Sequence, residues 1–289
     1  MTPHESVPRA LDTAGRRGTA ACVIAVTYVA ANLVASTMLN PAHPRALAAV
    51  PVLLAGLAGL IGAVTIGPLA HRLPLPTGQR LAVVACMAYL LSTGSNEIEA
   101  LLFIKGSSPL ILVTGAVLAL GLAVPVVLAW PSPGTVATTV GTALRETLNS
   151  RPWWSWIWRV SLASLLWVPV YFVFAAADAP FVHIYYHQTG TTFTIPSNGV
   201  LATAELARGL LHALVLAALA ALLNRSRRVN WFWLALAFAT LNAWLPLVQR
   251  SDWPYYLRAA NLVEITCDAV CYGGLVVLLL ARKRGLEAR

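Results

Sequence analysis

The chain has 289 residues, 58% of them hydrophobic and only 11% charged, with a formal net charge of +9 and a mean hydropathy of +0.71. Soluble domains carry roughly a quarter of charged residues, so this composition excludes a soluble protein and indicates an all-α, polytopic membrane helix bundle. The basic excess is scattered over separate short segments, which reads as membrane orientation and excludes nucleic acid as the partner.

A window of about 19 residues finds eight spans, near 20–39, 47–70, 81–103, 109–130, 156–177, 200–223, 231–248 and 257–281. Each is close to the roughly 20 residues that cross a bilayer as helix. Residues 1–19 then form a cytoplasmic tail, 20–281 a single transmembrane domain and 282–289 a basic cytoplasmic tail. With the N-terminus inside, fifteen of the 20 Lys and Arg residues fall on cytoplasmic segments. Arg45, Lys105, Arg250 and Arg258 fall outside. This imbalance places both termini in the cytoplasm, and the expected location is a bacterial plasma membrane.

Taken in chain order, Arg16-Arg17 precede an apolar run of full membrane length, which reads as a retained first helix and not as a cleaved signal. Asn32 and Ser36 form a short polar stripe on span one. On span three, α-helical spacing aligns Tyr89, Thr93, Asn96 and Glu97. Glu97 follows the start of that span by about 24 Å, at 1.5 Å per residue, which puts it near the outer boundary. Glu99 is expected on the opposite side, at headgroup level near Lys105. Between spans four and five, Thr135 to Asn149 can form a small interfacial helix. Trp153, Trp154, Trp156 and Trp158 beside Arg151 and Arg159 read as an interfacial anchor.

The connection from Asp178 to Gly199 reads as an extracytoplasmic loop. It contains His183 and His187, whose four-residue spacing suits a zinc ion if a carboxylate completes the set. The glutamate of a helical metalloprotease motif is missing between them, and an interfacial cluster with Tyr185 and Tyr186 is the preferred reading. A bound metal ion is therefore an option without a strong motif, and no other cofactor is indicated. Cys22, Cys86, Cys267 and Cys271 all lie within spans and imply no disulfide framework.

Span six carries Glu205, Arg208 and His212 on one face, and span eight repeats the spacing with Asn261, Glu264 and Asp268. In the proposed topology these residues and Glu97 lie in the outer half of the membrane. Ionisable groups at that depth are costly and are kept when paired, hydrated or used. One arginine cannot neutralise so many acids, so some carboxyl groups are expected to hold a proton, or a cation is bound among them.

The reading that follows is a transporter or solute-binding membrane protein for a proton, a cation or a basic small solute, with Glu205, Arg208, His212, Asn261, Glu264, Asp268 and Glu97 as its binding residues. A membrane-embedded hydrolase or transferase acting on a lipid-linked or extracytoplasmic substrate is the alternative. There Glu205 or Glu264 would be the general base and Arg208 would stabilise negative charge. An accessory subunit with a structural polar cluster is the third. The lipid bilayer is the one partner the sequence names outright; oligomeric state and substrate identity are not encoded in any motif.

Overall fold

The structure is a computed structural model that describes residues 6–39, 49–103, 110–132, 138–186 and 196–281. Its elements are helices throughout: α1 (Ser6–Leu39), α2 (Ala49–Arg72), α3 (Thr77–Ala88), α4 (Ser95–Phe103), α5 (Leu110–Ala129), α6 (Val140–Leu148), α7 (Trp153–Tyr186), α8 (Asn198–Leu223), α9 (Arg227–Ala239), α10 (Leu245–Gln249) and α11 (Tyr255–Leu280). Two π-helical segments, Tyr89–Gly94 and Thr240–Trp244, join α3 to α4 and α9 to α10.

Eight helical stretches are long and apolar enough to cross a membrane. They coincide with the eight expected spans, with ends shifted by a few residues in most cases. The fifth departs most, running from Trp153 to His183. Its helix continues to Tyr186, so the segment expected to be loop from Asp178 is helical for nine residues more. The stretch after Asp178 is apolar and aromatic, and its one breaker, Pro180, is accommodated inside the helix. The small helix expected between spans four and five is α6. Thr139 caps its N-terminus, its hydroxyl accepting from the Thr142 amide at 3.2 Å, as N-cap residues do.

Two packed groups make up the bundle. In one, α1 lies against α2 and α5, with α3 against α5; in the other, α7 packs on α8 and α11, and α11 on α9. They meet where α2 lies against α10, the second π segment and α9, where α4 and the first π segment lie against α8, and where the two π segments touch. Large apolar side chains such as Val26, Leu53, Leu101 and Leu128 face outward, each about 70% exposed, as lipid-facing positions should. Helices in lipid gain nothing from hiding apolar surface, so close approach at small residues takes over. At Gly115 a Cβ would stand 2.2 Å from the Thr93 hydroxyl oxygen, so only glycine lets the first π segment seat on α5.

Arginines concentrate at the far end from α8's start. Arg151 donates to the Leu279 and Ala281 carbonyls at 3.0 and 2.9 Å, and Arg159 to Leu279 at 2.9 Å. These bonds satisfy carbonyls that α11 leaves open at its C-terminus. Trp153 and Trp154 stand exposed beside them.

Candidate functional site

The centre of the second group is a polar chain built on α8. Glu205 is fully buried, and its two carboxylate oxygens are separately used. One accepts from the Arg208 guanidinium at 2.8 Å and the other from the Trp167 indole N–H at 2.8 Å. Arg208, one helical turn on, also reaches Glu99 at 3.1 Å and donates through Nε to the Ser95 hydroxyl at 3.2 Å. Ser95 in turn lies 2.7 Å from His212 Nε2, with both residues fully buried. One arginine therefore holds α4 to α8, and its carboxylate partner holds α8 to α7.

The walls are aromatic. Trp167 meets His212 edge-on at 4.6 Å and Tyr272 at 5.0 Å, while Phe238 stands 4.4 Å from the His212 ring. Arg208 lies 5.9 Å from the Trp167 ring and 6.0 Å from Tyr171, within cation–π range. The approach of α7 to α8 that permits this depends on Gly209. A Cβ there would stand 2.6 Å from the Ser164 carbonyl oxygen and 2.7 Å from the Trp167 Cβ. Tyr272 bridges the same seam, its hydroxyl 2.9 Å from the Gly209 carbonyl and 3.2 Å from that of Ala163.

More acids surround this core. Asp268 on α11 is 2% exposed and within electrostatic reach of Arg208, Glu205 and Glu99. Its Oδ1 has no hydrogen-bond partner among the described residues. Glu264, one turn before it, is half-buried and near Asp178 on α7, the two side chains being within hydrogen-bonding reach. Glu99, Glu205 and Asp268 thus surround a single guanidinium, and Glu264 with Asp178 forms a second acidic pair beside Asp268. Glu99, Asp178 and Glu205 lie towards one end of the bundle, near the ends of α4 and α7 and the start of α8, while Asp268 stands at the middle of α11. Glu205 is about 10 Å and Asp268 about 20 Å from the start of its helix, at 1.5 Å per residue.

The structure joins Glu205, Arg208 and His212 directly and sets Glu264 and Asp268 beside them. Asn261 does not join; its amide donates to the Leu257 carbonyl of its own helix at 2.8 Å. Glu97 is half-buried and is not among the groups that meet Arg208. Glu99 is the acid that does, and it is not left at headgroup level. Glu97 and Glu99 stand about 200° apart on one helix, so the face turned to Arg208 holds only one of them, and the α-helical count that selects Glu97 runs through the π segment between Tyr89 and Gly94, whose i→i+5 bonds rotate the helix beyond it away from that count. His183 lies exposed in the last turn of α7, and His187 is outside the described residues. No group of three His, Cys, Asp or Glu among the described residues is arranged to hold a metal ion.

The sequence assigns no site role to Ser95, Trp167 or Asp178, and it expects Glu99 at headgroup level. Trp167 did carry a signal, since tryptophan gathers at membrane interfaces and this one stands in mid-span. Asn242 is 2% exposed in the second π segment, with its side-chain oxygen unpartnered among the described residues. Comparison of the chain with protein-family models, with curated proteins and with solved structures gives no match.

The π segment also makes a prediction. Deleting Ser92 is expected to let the helix run as ordinary α while Ser95 stays on His212, because the π turn holds the extra residue. Deleting Val84 from α3 has no such slack, and the folded yield is expected to be lost. Size-exclusion profiles of the two solubilised variants decide it; equal yields would contradict the register argument.

Proposed function

We propose that the protein binds, and moves across the membrane, a proton or a basic small solute, using the carboxyl groups around Arg208. The observation that carries this reading is the charge imbalance: five acids form one connected cluster with a single guanidinium, and that guanidinium is already engaged by Glu205, Glu99 and Ser95. The cluster divides by satisfaction. Glu205 and Arg208 are fully paired and hold the helices, whereas Asp268 has an unpartnered oxygen and Glu264 and Glu99 are part-exposed. The second set is therefore the working set. Embedded acids of this kind are the usual material of proton and ion pathways, and a protonated amine would supply the donor that Asp268 Oδ1 lacks.

On this reading the acidic end faces outward and the arginine-rich end lies in the cytoplasm of a bacterial plasma membrane, with both termini inside. Ser226 marks the cytoplasmic side: Ser226→Cys is expected to react with an impermeant thiol reagent only after the membrane is opened. Reaction from outside would reverse the orientation. Function is tested in proteoliposomes by electrical currents after a proton jump and after addition of a series of primary and quaternary amines. A response above that of empty liposomes to at least one is expected, and silence to all of them would sink the proposal.

A second reading has one observation in its favour. The Ser95 hydroxyl on His212 is the nucleophile–base arrangement of acyl-transfer enzymes, at a normal distance of 2.7 Å. Against it, both groups are fully buried and the hydroxyl also accepts from Arg208. Covalent labelling of Ser95 by a fluorophosphonate, lost in Ser95→Ala, would establish it.

A further inference from the structure

At the arginine-rich end, remote from the acidic cluster, the bundle encloses a second polar space. A cavity of about 250 Å³ lies between α6, the end of α8, the start of α9 and the end of α11. That is many times the volume needed for one water. Its polar lining includes Thr138, Thr142, Glu146, Arg225 and Asn230, and Ala220 and Leu280 form part of its apolar wall. Asn230 is 3% exposed, and its side-chain oxygen has no hydrogen-bond partner among the described residues. A buried carbonyl oxygen left without a donor is costly, so this atom points to a ligand that supplies an N–H or O–H.

The charges around the cavity are asymmetric. Glu146 is an acid on α6, and α8 ends at the cavity with Asn224 in left-handed conformation, φ 42°. The C-terminal end of α8 adds the partial negative charge of its last carbonyls. These groups, with Asn230, favour a positively charged hydrogen-bond donor. Arg225 is the cation of the same lining, exposed at the mouth, and suits a phosphate. The level is that of lipid headgroups, because the exposed Trp153 and Trp154 follow directly on α6, and tryptophans gather at the interface. A cationic side chain between helix ends at that level is where a lipid phosphate can dock, and here Glu146 stands in the same lining.

We propose that this cavity receives the headgroup of an aminophospholipid, its primary ammonium towards Glu146 and Asn230 and its phosphate towards Arg225. A quaternary ammonium cannot donate to the Asn230 oxygen, and an uncharged polyol headgroup can hydrogen-bond but brings no positive charge to Glu146. Preference for a primary amine is therefore the signature of the site.

The test is native mass spectrometry of the detergent-solubilised protein with an equimolar mixture of phosphatidylethanolamine, phosphatidylcholine and phosphatidylglycerol of identical acyl chains. Retention of the ethanolamine lipid roughly tenfold above the other two is expected, about one good charged hydrogen bond's worth of discrimination. Glu146→Gln should abolish its advantage over phosphatidylglycerol, Asn230→Leu its advantage over phosphatidylcholine, and Arg225→Ala should weaken all three. If Asn230→Leu does not fold, the exposed Glu146 and Arg225 variants decide alone. Equal retention of the three lipids, or a preference untouched by Glu146→Gln, overturns the proposal. Free O-phosphoethanolamine that displaces the lipid at equal concentration would also overturn it, by showing that the occupant is a soluble aminophosphate.

Discussion

Arg208→Met is expected to cost about 3–5 kcal/mol of folding stability, the range found when one partner of a buried ion pair is removed. The size follows from what is left behind. Glu205 has no exposure, and without Arg208 only the Trp167 indole remains on its carboxylate. Ser95 loses a donor, and the tie from α4 to α8 through Glu99 goes with it. Glu205→Leu leaves the complementary problem, a buried guanidinium facing a part-exposed Glu99. The double variant should cost less than the sum of the two single changes by at least about 1 kcal/mol, as coupled contacts do. Reversible unfolding in mixed micelles measures all three, and strict additivity would show that the pair is not a unit.

Asp268→Asn is expected to behave in the opposite way. It should leave stability within about 1 kcal/mol, because the change is nearly isosteric and one carboxylate oxygen has no hydrogen bond to lose. Transport, by contrast, should fall by an order of magnitude or more, since a carboxylate that binds a proton or an ammonium group contributes at least the roughly 1.4 kcal/mol that a factor of ten represents. The readout is the proteoliposome current, with Asn261→Ala as a control whose side chain bonds only its own helix. Loss of fold without a specific loss of current would move Asp268 into the structural set with Glu205. Undiminished current in Asp268→Asn combined with Glu264→Gln would remove the acids from the mechanism altogether.

How much of this was legible in the sequence depends on which distance the argument had to cross. Within one helix, spacing was enough: Glu205, Arg208 and His212 share a face because three and four residues nearly complete a turn, and they do form one chain in space. The Glu264 and Asp268 pair follows the same rule. Asn261 met the rule as well, but turned to its own backbone, a choice that a single asparagine makes locally. Along span three an α-helical period does not carry through the π turn, so which of Glu97 and Glu99 faces Arg208 is set by packing and not by residue spacing. Nothing in Tyr89-Leu90-Leu91-Ser92-Thr93-Gly94 announces a π turn, which is seen in how the segment seats against Gly115 and the second π segment. Asp178 went unread for a different reason: hydropathy ends a span where polar residues begin, while the helix itself ran on to Tyr186.

Composition and local pattern by themselves determined that this is a helical protein with eight stretches long and apolar enough to span a membrane, and that span six carries an acid, a base and a histidine in register. Those properties depend on the bilayer and on helix geometry, which act on each segment alone. Which acids share the arginine, that Glu205 is clamped by Trp167 from another helix, and that Asn230 lines a polar cavity were decided only by tertiary packing. Each depends on how closely two helices approach and how far each is rotated, set by residues such as Gly209 and by the π turns, and no single segment contains that information.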